Sequence, residues 1–117
     1  SGDMYYNSGY GSAAIAYGVR AWVNYNGTGT PSVRASGNIS SVTRNGTGDY
    51  TLNFSNAMPD SNYSMGACIG DIAGGGVNIR ILASSITSAP TLMSTTQVRC
   101  VVYGSNDINT FTAQVFR

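Results

Sequence analysis

The sequence predicts an all-β fold, an antiparallel β-sandwich or barrel-like domain of about eight strands. The first indication is the choice of residues: Ile and Val outnumber Leu by seventeen to three, and Thr and Tyr are frequent, which favours strands over helices. The second is that short runs with a two-residue period are separated by Gly, Asn, Pro and Ser. The third is that no stretch has the period of an amphipathic helix.

The chain divides into a short N-terminal segment and one domain. Residues 1–12, SGDMYYNSGYGS, are rich in Gly, Ser and Tyr without periodicity, which indicates a linker. Residues 13–117 are enough to bury a core and form the predicted β-sandwich domain. The candidate strands within it are residues 20–26, 31–36, 39–44, 49–55, 63–70, 77–84, 96–103 and 111–117. The run DYTLNFS alternates most clearly, with Tyr50, Leu52 and Phe54 on one face.

The stretch Asn-Gly-Thr-Gly occurs twice, at residues 26–29 and 45–48, each time between two candidate strands. Asn-Gly is typical of a two-residue type I′ hairpin turn, in which both central residues have a positive φ. The Gly that ends each copy permits a β-bulge that restores the register. The sequences around the two copies do not otherwise match, so they predict two hairpins rather than an internal repeat.

The alternation of side chains along a strand also predicts which individual side chains are buried and which are exposed. Tyr50 and Tyr63 share a face with apolar residues and are expected in the core, whereas Tyr103 ends a strand beside GSNDIN and is expected to be exposed. Cys68 and Cys100 both lie in apolar runs, so we expect two buried free thiols rather than a disulfide.

The composition excludes several classes of function. Charged residues are 9% of the chain and the formal net charge is +1, which gives no electrostatic basis for binding nucleic acid. No apolar run is long enough for membrane insertion. His, Glu and Lys are absent, so Ser–His and Cys–His catalytic pairs, histidine metal sites, Glu–Glu glycosidase pairs and Walker loops are excluded. We therefore predict no catalytic residue, no metal site and no cofactor.

Two acidic features leave alternatives open. An Asp–Asp glycosidase pair is possible by residue type among Asp49, Asp60, Asp71 and Asp107, although no spacing selects one. The segments DSN and NDIN contain oxygen ligands of the kind that Ca²⁺ binds, but Asx turns are the commoner use of such residues.

Part of the chain resembles a known family. Residues 20–65, which contain AWVNYNGTG, NGTGDYTLNF and AMPDSNY, and the ending FTAQVFR resemble a domain at the C-terminal end of bacteriophage tail-fibre and prophage virion proteins. The resemblance implies a homotrimeric β-structured tip at the distal end of the virion's tail fibre, which is extracellular and recognises the host surface. It would make residues 1–12 a linker or the end of the fibre stalk, and it supplies no catalytic residues.

Three functions follow from these observations. The leading hypothesis is a non-enzymatic receptor-binding tip that recognises a host cell-surface polysaccharide during adsorption. The first alternative is a structural trimerisation or capping module whose neighbour binds the receptor. The second alternative is a domain that cleaves or deacylates polysaccharide.

Strand parity locates the predicted receptor-binding loops. If the chain enters from the stalk at residue 20 and each connection reverses direction, the loops at 27–30, 45–48, 71–76 and 104–110 fall together at the far end. Loops held on a rigid sheet commonly carry binding residues. We therefore predict receptor contacts from four residues, through amide and carboxylate hydrogen bonds and one aromatic face: Asp71, Tyr103, Asn106 and Asp107.

Overall fold

The computed structural model describes residues 3–7, 11–15, 18–70, 78–82, 93–103 and 107–117, with backbone only at residues 14, 78–82 and 103. Ten strands lie in this part of the chain, and none of its residues is helical. The strands are β1 (Tyr5–Tyr6), β2 (Ala14–Ile15), β3 (Val19–Asn26), β4 (Ser32–Gly37), β5 (Ile39–Gly46), β6 (Asp49–Phe54), β7 (Ser64–Ile69), β8 (Asn78–Leu82), β9 (Gln97–Tyr103) and β10 (Phe111–Phe116).

Two four-stranded antiparallel sheets form the domain. One has the strand order β4-β3-β10-β7 and the other the order β5-β6-β9-β8. The eight predicted runs correspond to β3–β10, which confirms the all-β prediction, and the separate sheets make it a sandwich rather than a barrel. Within the described ranges β1 and β2 pair with each other alone, and β1 lies in residues 1–12, where the sequence has no periodicity.

The core lies between the inner faces of the two sheets. Alternate residues of β3, β6, β9 and β10 are buried there: Ala21, Val23, Tyr25, Tyr50, Leu52, Phe54, Val98, Cys100, Val102, Phe111, Ala113 and Val115. Tyr25 lies at the centre, with its ring 5.0 Å from that of Phe111 and 5.3 Å from that of Tyr50. The predicted core positions of Tyr50 and Tyr63 are confirmed.

A single residue carries the chain from one sheet to the other. β4 ends at Gly37 and β5 begins at Ile39, and between them Asn38 has a φ of 55°. Asn tolerates this left-handed conformation better than most residues with a Cβ. Its side chain fixes the corner, because Oδ1 accepts a hydrogen bond from the backbone N–H of Asn56 at 2.7 Å and Nδ2 donates to the carbonyl of Arg20 at 3.1 Å.

The two Asn-Gly-Thr-Gly turns are not type I′ turns, so this prediction was wrong. Positive φ falls on the last residue of each copy, Gly29 at 65° and Gly48 at 69°, and not on the Asn or the first Gly. In the second copy Gly46 pairs with Asp49, so the turn residues are Thr47 and Gly48. Asn45 lies in a bulge of β5 and donates hydrogen bonds from Nδ2 across to β6. These bonds favour the bulge and move the turn two residues along the chain.

The two cysteines have different surroundings, so the prediction that both are buried is wrong for one of them. Both are free thiols, but only Cys100 is buried and Cys68 is exposed. The reason is alternation along β7, where Met65, Ala67 and Ile69 pack against the core. Cys68 therefore lies on the outer face of its sheet.

Candidate functional site at the loop end

The connections predicted to share one end of the domain meet there. The backbone N–H of Gly27 donates to the carbonyl of Ile108 at 2.7 Å, and the N–H of Val102 donates to the carbonyl of Gly48 at 2.7 Å. The loop end is defined here as residues 27–31, 47–48 and 107–110. At the opposite end, the N–H of Ser55 donates to the carbonyl of Asn38 at 3.0 Å. Every described strand pair is antiparallel, so the parity argument holds for the described parts of these loops.

The carboxylate of Asp107 is the centre of the loop end. Its Oδ1 accepts a hydrogen bond from the backbone N–H of Gly48 at 2.9 Å and lies 3.1 Å from Nε of Arg44. Its Oδ2 forms an ion pair with Nη2 of Arg44 at 2.9 Å. Nη2 of Arg44 also donates to Oγ1 of Thr47 at 3.1 Å, so the guanidinium ties Asp107 to the second Asn-Gly-Thr-Gly turn.

The Tyr50 hydroxyl extends this network to the first Asn-Gly-Thr-Gly turn. Its oxygen lies 2.9 Å from the carbonyl of Gly27 and 3.1 Å from Oδ1 of Asp107, two acceptors that share its one proton. It also accepts a hydrogen bond from the N–H of Ile108 at 3.3 Å. A Cβ at residue 27 would collide with the Tyr50 hydroxyl, so Gly27 allows this close approach. The two turns are thus bound to each other through Tyr50 and Asp107.

These contacts determine the charge at the loop end. The hydrogen bond from Arg44 holds the pKa of Asp107 below its usual value, against the opposing effect of desolvation, and the Gly48 N–H and the Tyr50 hydroxyl add to the lowering. Burial raises the pKa of Tyr50 to about 12. Near neutral pH, Asp107 is therefore ionised and paired with Arg44, and Tyr50 is neutral. The pair itself is nearly neutral, and the Arg34 guanidinium, which donates to the carbonyl of Asn109 at 2.7 Å, adds a positive charge beside it.

A depression opens beside the Arg44–Asp107 pair. It has a volume of about 570 Å³ and lies between the first turn, with Gly29, Thr30 and Pro31, and β5, with Val42, Thr43 and Arg44. The Thr30 hydroxyl has no hydrogen-bond partner within the described ranges. The sequence reading missed this depression and Arg44. Strand alternation could have predicted the position of Arg44, because it lies two residues beyond Val42 on the same side of β5 and at the end near the loops.

Of the four predicted receptor contacts, Asp107 is the one whose side chain the structure describes, and it lies in this site. Asp107 is at its centre, engaged by Arg44, Gly48 and Tyr50. Tyr103 is the last residue of β9 and pairs with Asn78 of β8. Asp71 and Asn106 lie outside the described residues. Receptor contact by any of the four remains a prediction.

The described aspartates mostly serve ion pairs. Asp49 pairs with Arg99, Asp60 with Arg117 and Asp107 with Arg44. In the DSN segment the Oδ1 of Asp60 accepts a hydrogen bond from the N–H of Asn62 at 2.8 Å, which is the predicted Asx turn. The described residues contain no group of three His, Cys, Asp or Glu side chains that could hold a metal ion.

Comparison of the chain with models of known protein families, with curated proteins and with solved structures finds no match. Across the described part of the chain, no helix has the length and apolar character needed to cross a membrane.

Proposed function

We propose that this domain is the non-enzymatic receptor-binding tip of a bacteriophage tail fibre, at the distal end of the virion, and that it binds a host cell-surface polysaccharide. The observation that carries the proposal is the Asp107 network. It joins two turns from different sheets, so that the loop end is a fixed surface on a rigid sandwich. The resemblance of residues 20–65 and of the last seven residues to tail-fibre proteins supports the same function.

The chemistry of the loop end suits a ligand rich in hydroxyl groups. The Arg44–Asp107 pair is nearly neutral and Arg34 adds one positive charge, so the loop end suits a neutral or moderately acidic ligand. Thr30, Thr43 and Gly29 offer hydroxyl and backbone groups around the depression, and Val42 and Pro31 give it an apolar part. A polysaccharide presents the matching combination of hydroxyl groups and apolar C–H faces.

A homotrimer is part of the proposal. Three copies of a weak site on a repetitive surface gain avidity on the order of 10²–10⁴-fold, which a tip of this size would need for stable adsorption. Light scattering of the purified domain should report three copies at micromolar concentration. A monomer at that concentration would contradict this part of the proposal.

The experiment that tests the function is binding of the isolated, fluorescently labelled domain to host cells. Thr30→Arg places a long side chain at the mouth of the depression and should weaken binding about tenfold or more. The matched control is Ser61→Arg, which introduces the same side chain at an exposed position outside the loop end and should bind as the wild type does. Equal binding by both variants would move the receptor site away from the loop end, and absence of binding by the wild type would contradict the proposed function.

The structural capping module is the second candidate function, because the N-terminal region around β1 exposes apolar side chains. Met4, Tyr5 and Tyr6 are each more than 60% exposed. Such a patch suits contact with a preceding fibre segment. This candidate predicts that the isolated domain forms a trimer and does not bind host cells.

A further inference from the structure

The outer face of the β4-β3-β10-β7 sheet has an unusual row of residues. The strand registers place Gly37, Trp22, Gln114 and Gly66 side by side, one on each of the four strands in that order. Alternation directs Trp22 and Gln114 outward, because their neighbours Ala21, Val23, Ala113 and Val115 are buried. Two large side chains thus stand at the centre of the row, with a glycine at each edge.

The indole of Trp22 lies over the adjacent glycine. A Cβ at Gly37 would collide with Nε1 and Cδ1 of Trp22, so the five-membered ring occupies the space that a side chain would take. Trp22 nevertheless remains 43% exposed. A large aromatic surface is therefore supported from one side and open to solvent.

Gln114 places an amide beside this ring. Its Oε1 lies 3.8 Å from the Cβ position of Gly66, so the amide extends toward the glycine of the neighbouring strand. Among the residues that the structure describes, no group forms a hydrogen bond with this amide. It is a partly exposed donor and acceptor next to an open aromatic ring.

A second aromatic ring lies on the same face, two residues further along β10. Phe116 follows Gln114 by two residues on the same face, pairs with Ser64 of β7 and is 38% exposed. It borders a depression of about 420 Å³ that is also lined by Asn62, Ser64 and Arg117. The aromatic face is defined here as Trp22, Gln114 and Phe116.

The charges around the aromatic face are positive. The four strands contain no acidic residue. Arg34 donates hydrogen bonds to Oδ1 of Asn24 at 3.2 Å and to the carbonyl of Asn109 at 2.7 Å, and Arg20 donates to the carbonyl of Arg117 at 3.3 Å. These acceptors are neutral, so the face combines open aromatic rings and an amide with two arginines that keep their positive charge.

We propose that the aromatic face is a saccharide-binding surface, separate from the loop end, that takes a neutral or acidic polysaccharide. The C–H faces of sugar rings pack on Trp22 and Phe116, and the Gln114 amide exchanges hydrogen bonds with the hydroxyl groups between them. A second copy of the chain would fit less well, because it would bring its own Arg20 and Arg34 charges against the same positive face. The identification of the ligand as a host polysaccharide rests on the proposed function, whereas saccharide binding by this face does not.

The test uses the fact that Trp22 is the only tryptophan of the chain. The purified wild-type domain is applied to an array of bacterial capsular polysaccharides, lipopolysaccharide O-chains and neutral hexose homopolymers. Any polysaccharide that binds is then titrated against tryptophan fluorescence. We expect a change in emission on binding, because the ligand covers the ring itself.

Matched variants complete the test. Trp22→Ala and Gln114→Ala should each weaken the affinity measured on the array by about tenfold, and Trp22→Phe should recover part of the loss. The control is Val33→Ala, another exposed apolar residue of the same sheet, 39% exposed, which should bind as the wild type does. Thermal melting of each variant verifies the fold, which these exposed substitutions should leave intact.

Three results would overturn the inference: binding without a change in Trp22 emission, equal binding by Trp22→Ala and Val33→Ala, or no bound polysaccharide on the array. A soluble quencher should also reach Trp22 in the protein without ligand. If it reaches Trp22 only after dilution, a second copy of the chain covers the face, and the inference is overturned. Host-cell adsorption of the wild-type domain is measured separately. Adsorption without saccharide binding contradicts the inference alone, and saccharide binding without adsorption contradicts the proposed function alone.

Discussion

The carboxylate of Asp107 accepts a hydrogen bond from the backbone N–H of Gly48 at 2.9 Å, across 59 residues of sequence. Through this contact the residues that precede β10 hold the turn between β5 and β6, which belongs to the other sheet. Because Tyr50 links the same carboxylate to Gly27, the loop end is held by side chains as well as by the strands below it. This arrangement leads to predictions about stability that do not depend on the proposed function.

Removal of the Asp107 carboxylate should destabilise the domain. Asp107→Ala should lower the free energy of unfolding by about 1–3 kcal/mol, because the partly buried N–H of Gly48 loses its acceptor and the Arg44 guanidinium loses its counter-ion. Asp107→Asn keeps an acceptor oxygen and should cost less. Urea denaturation measures both.

The control for Asp107 is Asp60→Ala, which removes the exposed ion pair with Arg117 and should leave the urea midpoint almost unchanged. An equal loss of stability in Asp60→Ala and Asp107→Ala would show that the Asp107 network has no special role.

The stability of the domain should fall in acid and stay flat around neutral pH. Hydrogen bonds from Arg44 and Arg99 hold the pKa values of Asp107 and Asp49 below their usual value, so their stabilising contribution is present above the unfolded-state pKa of about 3.9. It is lost as the pH falls through their folded-state pKa values. No His or Glu side chain titrates above this range.

Urea denaturation at a series of pH values measures this dependence. We expect a plateau near neutral pH and a decline that begins as the pH falls to about 4. A variant with Asp49→Asn and Asp107→Asn should be less stable on the plateau and should decline less in acid. A double variant that declines as steeply as the wild type would place the acid sensitivity elsewhere.

The second Asn-Gly-Thr-Gly turn contains its own matched pair of glycine variants. Gly48 has a φ of 69°, so Gly48→Ala should cost about 1–2 kcal/mol of stability. Gly46 does not have a positive φ, and a Cβ there would meet nothing within 4 Å. Gly46→Ala should therefore be neutral or slightly stabilising. A type I′ turn at Asn45-Gly46 would give the opposite order, so thermal melting of the two variants distinguishes the turns.

The sequence was sufficient for the strands and for the grouping of the loops, but not for the turn geometry. Alternation in runs such as Asp49–Phe54 is a local property that burial on one face requires, and parity then follows from antiparallel pairing. The position of the turn depends on the hydrogen bonds of Asn45 with Asp49 and Thr51, which compete with the local preference of Asn-Gly. Asp107 was chosen as an exposed loop residue, and its pairing with Arg44, 63 positions away, has no local signal.

The outward position of Trp22 could have been predicted, but its importance could not. Its parity relative to Ala21 and Val23 is visible in the run RAWVNYN. Its contact with Gly37 requires the β3–β4 register, and its proximity to Phe116 requires that β10 pair with β3, a pairing of distant segments. Such non-local pairings leave no trace in a single strand's periodicity.

The two thiols should differ in reactivity and in their effect on stability. Burial raises the pKa of Cys100 to about 12, and its Sγ lies 3.8 Å from the sulfur of Met65 in the core. Because the thiolate is the reactive form, a maleimide reagent at neutral pH should modify the exposed Cys68 in the folded domain and leave Cys100 unmodified until the chain unfolds. Cys100→Ala should cost about 1–2 kcal/mol through lost packing, whereas Cys68→Ser should leave the melting temperature nearly unchanged. Mass spectrometry of the labelled native protein measures the number of modified thiols. Two modified thiols would show that the core around Cys100 is open, and a mass consistent with a disulfide would contradict the free thiols of the structure.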